Sequence, residues 1–164
     1  MDVAPSGVNS KFTTYLLRAA LTYARRGIPV FPCTPGGKEP LTKNGFKDAS
    51  THEHKVHSWW TRWPHANIAV PTGKASGILV LDEDGETGAE SLSELEEKHA
   101  PLPVTAATRT GRGGKHRLFR YPAGETIRNS AGKLGPGLDV RAEGGYFEHP
   151  RVAYRGCQGQ APRL

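Results

Sequence analysis

The chain is predicted to fold as a mixed α/β domain, and three observations carry that reading. Apolar residues recur at helical spacing in two N-terminal stretches. A short run of branched residues ends in acids. A glycine-rich turn opens onto an alternation of apolar and basic residues. With 164 residues the chain is long enough for one domain with a real core. Its formal net charge of +6 favours an anionic partner such as nucleic acid or nucleotide. Cys33 and Cys157 lack metal-ligand spacing and any disulfide framework, and no apolar run approaches the ~20 residues of a membrane span. We therefore expect reduced thiols, no membrane partner and a cytoplasmic location.

In chain order, residues 1–10 are polar and read as a flexible arm. Phe12, Tyr15, Leu16, Ala19, Ala20 and Tyr23 then predict a helix, with Ser10 as N-cap and Gly27 as its terminator. Ile28 to Phe31 predict a brief strand. The following loop, Cys33 to Pro40, carries Gly36 and Gly37, which let backbone approach a ligand closely. Its Lys38 is either an ordinary exposed lysine or a phosphate contact.

Thr51 opens a second predicted helix, in which Val56, Trp59, Trp60 and Trp63 make an apolar stripe before Pro64. Core burial is the expected fate of these tryptophans. Stacking on nucleic-acid bases is the alternative, given the interleaved Lys55, His57 and Arg62. His52, His54 and His57 read as surface residues. Asn67 to Val70 predict a strand, and the loop after Pro71 is expected to bring the chain back beside it.

The returning segment, Ile78-Leu79-Val80-Leu81-Asp82-Glu83-Asp84, is the centre of chemical interest. Side chains two apart in a strand share a face, so Asp82 and Asp84 point one way and Glu83 the other, with Cα atoms of the aspartates roughly 6.6 Å apart. Two carboxylates about 5 Å apart at an effective dielectric near 20 repel by roughly 3 kcal/mol, a cost that a cation removes. Asp and Gly are equally what a solvated strand-end turn uses.

A third helix is expected after Gly85, burying Leu92 and Leu95 and presenting Glu90, Glu94, Glu96 and Glu97 to water until Pro101 and Pro103. Val104 to Thr108 predict a strand. Arg109 to His116 form a basic glycine turn that can present amides, Arg109, Arg112 and Lys115 to phosphate, and His116 begins the outgoing strand. Glycine is also what any tight turn needs. Finally, Leu138 to Arg141 predict a strand in which Asp139 points away from Leu138 and Val140. From there it can close a three-carboxylate metal site with Asp82 and Asp84, with Glu143 as the rival acid, expected to be exposed.

Together these segments resemble a known family. The order Val30-Phe31-Pro32, Pro35 to Pro40, Gly45 to Ala49, Trp59-Trp60 with Trp63-Pro64, Asn67 to Val70, Leu81 to Gly85, Arg109 to His116 and Gly137 to Arg141 is similar to the N-terminal primase-polymerase (prim-pol) domain of bifunctional DNA primase/polymerase proteins, in the archaeo-eukaryotic primase superfamily. The resemblance spans Leu17 to Tyr146. It implies an α+β fold, a mixed and mainly antiparallel sheet with flanking helices around an RRM-like core. It also implies two-metal nucleotidyl transfer with Mg²⁺ or Mn²⁺, nucleoside triphosphates as substrates, a single-stranded DNA template and a helicase partner.

The roles it implies fall on Asp82, Asp84 and Asp139 as metal ligands and catalytic acids, and on His116 as the nucleotide-phosphate ligand. Lys38, Arg109, Arg112 and Lys115 are further phosphate contacts by charge and loop position. The domain is expected to run over 11–146. Residues 147–164 read as an atypical C-terminal tail where the family has further strands, from either truncation or a genuinely shortened domain. Two other classes stay open: an inactive DNA- or nucleotide-binding remnant, and a metal-dependent phosphoesterase or nuclease.

Overall fold

The computed structural model describes residues 8–110 and 113–148, in two compact units that meet in sequence between Pro71 and Thr72. It is an α+β fold whose strand ladders are antiparallel.

The first unit holds helix α1 (Val8–Arg25), strand β1 (Phe31–Cys33), a short 3₁₀ turn (Gly45–Asp48), helix α2 (Glu53–Arg62) and strand β2 (Asn67–Pro71). Helix α1 already runs through Ser10, so the start expected at that residue is corrected. It ends as expected at Gly27, at φ +75°. There the Ile28 amide donates to Tyr23 O and the Gly27 amide to Ala24 O, the paired bonds of a Schellman cap. That cap explains why the next strand begins later than the apolar pattern suggests. The Ile28 N–H is committed to the helix end, and the ladder starts at Phe31, opposite Ala69.

Helix α2 packs on α1 and buries Val56 and Trp60, and the Trp60 indole N–H donates to Ala66 O at 3.1 Å. Trp59 and Trp63 are only half-buried, contrary to the expectation of a fully buried stripe. The stripe is wider than the surface available to it. The two outer rings are covered by cations instead, Lys55 at 4.9 Å from the Trp59 ring and Arg62 at 4.8 Å from the Trp63 ring.

The second unit is built on strand β3 (Ile78–Glu83) and helix α3 (Gly85–Lys98), followed by β4 (Ala107–Arg109), β5 (Lys115–Arg120), β6 (Ser130–Ala131), β7 (Leu138–Arg141) and β8 (Tyr146–Glu148). Five of these strands form one sheet in the order β4-β5-β3-β7-β6, with the acidic strand in the middle. One face packs Leu81, Leu138, Phe119 and Val140 against Leu92 and Leu95 of α3. Gly88 permits the close fit, because a Cβ there would stand 2.5 Å from Gly137 O.

Three further expectations are corrected in this unit. The strands β2 and β3 are not neighbours: β2 pairs with β1, and β3 lies between β5 and β7. Gly73 does bridge Ile78, but Thr72 before it gives its amide to Gly145 O and its hydroxyl to Ala142 O, so that pairing goes no further. Val104 is fully exposed and the strand begins only at Ala107, because the Leu118 carbonyl accepts the Thr105 hydroxyl in place of a backbone ladder donor. Glu96 does not simply face water. Its carboxylate accepts the Leu102 amide at 2.8 Å and closes the turn after α3.

Candidate metal centre

Antiparallel register builds the site. Cross-strand partners share a face of the sheet, and one transverse row reads Thr108 (β4), His116 (β5), Asp82 (β3), Asp139 (β7) and Ala131 (β6). Leu81 and Glu83, the neighbours of Asp82, fall on the opposite face with α3. There Glu83 accepts the Arg117 guanidinium at 3.1 Å. The period of two thus separates a polar row from the apolar core with a single strand.

Asp84 joins the row from the strand end. It is the N-cap residue of α3, yet its carboxylate makes no capping hydrogen bond. Oxygens of Asp82, Asp84 and Asp139 all lie within 4.8 Å of one another. Glu143, the rival acid, is exposed and outside this group, where its carboxylate accepts the Lys74 amide.

The charges around Asp82 are set by its neighbours. His116 Nε2 is 3.2 Å from Oδ1, and Arg141 Nη2 is 3.3 Å from Oδ2. Burial pushes the Asp82 carboxyl up, but His116 and Arg141 outweigh burial and hold it below the ordinary carboxylate value. It is therefore ionised, as a metal ligand must be. His116 stands within ion-pair range without hydrogen-bond geometry, which leaves Oδ1 buried and without a hydrogen-bond partner. Such an atom is costly to leave unsatisfied. A hard cation takes oxygen donors of this kind, so the three carboxylates fit a divalent ion.

The remaining predicted residues are placed unevenly. The His116 ring sits in the row, edge-on to Phe147 at 6.2 Å between centroids. Arg109 and Lys115 pair with each other in the Glu83 row, so their Cβ atoms leave the face opposite to that of His116. Lys38 lies in the first unit, between Gly37 and Glu39 of its glycine loop. Arg112 lies outside the described residues, as do residues 1–7 of the predicted arm and 149–164 of the predicted tail. Phe147, counted in that tail by sequence, is buried in β8.

Two residues of the polar face escaped the sequence reading, Thr108 and Arg141. Arg141 follows Asp139 by two positions in a predicted strand, so strand periodicity was the signal that places them together.

The family model described as bifunctional DNA primase/polymerase, N-terminal (Prim-Pol), matches residues 20–160. The chain belongs to the Prim-Pol family. No curated protein matches it. Membership makes this a primase/polymerase-type domain with DNA and nucleotides as the implied substrates, and the carboxylate group is compatible with metal binding. Among the described residues no helix is long and apolar enough to cross a membrane.

Proposed function

We propose that this Prim-Pol domain is a DNA primase/polymerase that transfers a nucleotidyl group from a nucleoside triphosphate to a 3′-hydroxyl on a single-stranded DNA template. The observation that carries the reading is the convergence of carboxylate oxygens of Asp82, Asp84 and Asp139 to within 4.8 Å of one another, in a chain of this family. In this reading the three aspartates hold Mg²⁺ or Mn²⁺. When bound, the ions supply activation of the hydroxyl and neutralisation of triphosphate charge.

The protein's own groups orient the reactants. His116, next to Asp82 in the row, binds a phosphate of the incoming nucleotide. Lys38, Arg109, Arg112 and Lys115 add positive charge that favours phosphates, with Arg109 and Lys115 leaving the sheet on the face opposite to His116 and so assigned to the template, consistent with the net charge of +6. A cytoplasmic setting and a helicase that exposes the template strand belong to the same proposal.

Incorporation of labelled nucleotides on primed and unprimed single-stranded templates, with Mg²⁺ or Mn²⁺, tests it. Extension by the wild type that is lost in both Asp82→Ala and Asp84→Ala is the expected result. Extension retained by both variants overturns the proposal. Salt-sensitive strand binding without product would instead mark a binding-only domain, and oligonucleotide degradation without added triphosphate would mark a hydrolase.

A further inference from the structure

Arg141 shares the face of Asp139, two positions before it on the same strand. A single nitrogen, Nη2, is 3.1 Å from Asp139 Oδ2 and 3.3 Å from Asp82 Oδ2. One guanidinium therefore spans two of the three carboxylates that could hold a cation. The side chains of Asp82 and Asp139 are 6% and 18% exposed, whereas that of Arg141 is 35% exposed. The acids are fixed in the sheet, and the arginine has an open side toward which it can swing.

Asp82 and Asp139 are directly opposed like charges, an arrangement that is unfavourable without a positive charge between them. Arg141 supplies that charge. A divalent ion held by the same two carboxylates brings positive charge beside the guanidinium, so ion and guanidinium compete for them. A displaced guanidinium beside a triphosphate has a matching planar partner in the phosphate oxygens.

We propose that Arg141 is an exchangeable counter-charge, holding Asp82 and Asp139 together in the metal-free chain and passing to the triphosphate as metal enters. The inference rests on the proposed metal-dependent reading and gives it a regulatory feature. Metal and nucleotide strengthen each other's binding, because each removes Arg141 from the site or gives it a new partner.

The test measures Mn²⁺ binding alone, from the electron paramagnetic resonance signal of the free ion, for wild type, Arg141→Gln, Arg141→Lys and Asp82→Asn. Affinity of the Mn²⁺-loaded chains for a fluorescent, non-transferable triphosphate is measured alongside. Arg141→Gln is expected to bind Mn²⁺ about tenfold more tightly and the triphosphate about tenfold more weakly, as for a lost charge-assisted contact. Arg141→Lys keeps the charge, so its Mn²⁺ affinity stays near that of the wild type while its triphosphate affinity falls.

Opposite signs are the signature, since a merely structural role would weaken both. Unchanged or weaker Mn²⁺ binding by a folded Arg141→Gln, or an unchanged triphosphate affinity, overturns the proposal. If Asp82→Asn abolishes Mn²⁺ binding while Arg141→Gln leaves it unaltered, only the assignment of Arg141 fails. If the wild type itself binds no Mn²⁺, the metal-dependent reading fails and takes this one with it.

Discussion

Asp82 and Asp139 stand directly opposite one another on neighbouring antiparallel strands, at the same register position as His116 on the far side. Three ionisable side chains are thus set side by side by backbone pairing alone. Two of the three carboxylates of the candidate metal centre therefore follow from the ladder, and Asp84 alone is placed by the turn into α3.

The register separates the two acids that the sequence offers, Asp139 within β7 and Glu143 just after it. Asp139→Asn should weaken Mn²⁺ binding by about tenfold or more, through loss of one anionic oxygen donor. Glu143→Gln, which alters an exposed contact to the Lys74 amide, should leave it unchanged. Titration of Mn²⁺ into the two variants decides between them, and equal losses would reject the assignment of the site to Asp139.

Phe147 should matter to nucleotide binding more than to metal binding. Its ring meets that of His116 at an interplanar angle of 87°. Phe147→Leu keeps the bulk but loses the edge-on contact. The nucleotide KM should rise roughly 2- to 10-fold, the equivalent of ~0.5–1.5 kcal/mol for such a pair, with Mn²⁺ affinity unaltered.

Gly88 tests the packing of α3 on the sheet. In an exposed helix interior, glycine to alanine would stabilise by about 1 kcal/mol. Here the new methyl would stand 2.5 Å from Gly137 O and 3.1 Å from Glu83 C, both backbone atoms of the sheet end. Gly88→Ala should therefore lower stability by roughly 1–3 kcal/mol, seen as a lower urea midpoint. A rise in the midpoint would refute the close fit.

Tyr23 gives a pH dependence of known sign. Burial, aided by Tyr15, pushes its phenol up to about 12 from the ordinary 10.0. The unfolded chain ionises first, so stability present below pH 10 is lost as pH rises towards 12. Tyr23→Phe should lose less stability over that window, by on the order of 2 kcal/mol, in urea midpoints compared between the two proteins. Parallel curves for variant and wild type would contradict it.

Much of the fold was legible because local chemistry dictates it. Gly27 ends α1, Pro64 follows the end of α2, and the run from Ile78 forms the expected strand leading into acids, buried from Val80 to Glu83. The meeting of Asp82, Asp84 and Asp139 was also within reach, since alternation sets the faces of β3 and β7. What stayed hidden depends on partners distant in sequence. Nothing local to Asn67–Pro71 says that it pairs with Phe31–Cys33 and not with Ile78–Glu83. The half-burial of Trp59 and Trp63 depends on how much of α2 its neighbours cover, which no stripe records. Arg141 was overlooked because an arginine at a strand end reads as solvated until the carboxylates beside it are known.

The sharing of β3 and β7 between the polar row and the α3 core makes the domain self-checking as it assembles. A slip of β7 by one residue would place Leu138 or Val140 opposite Asp82 and drive Asp139 into the leucine cluster. A copy mispaired by one residue therefore loses its core and its acid cluster together.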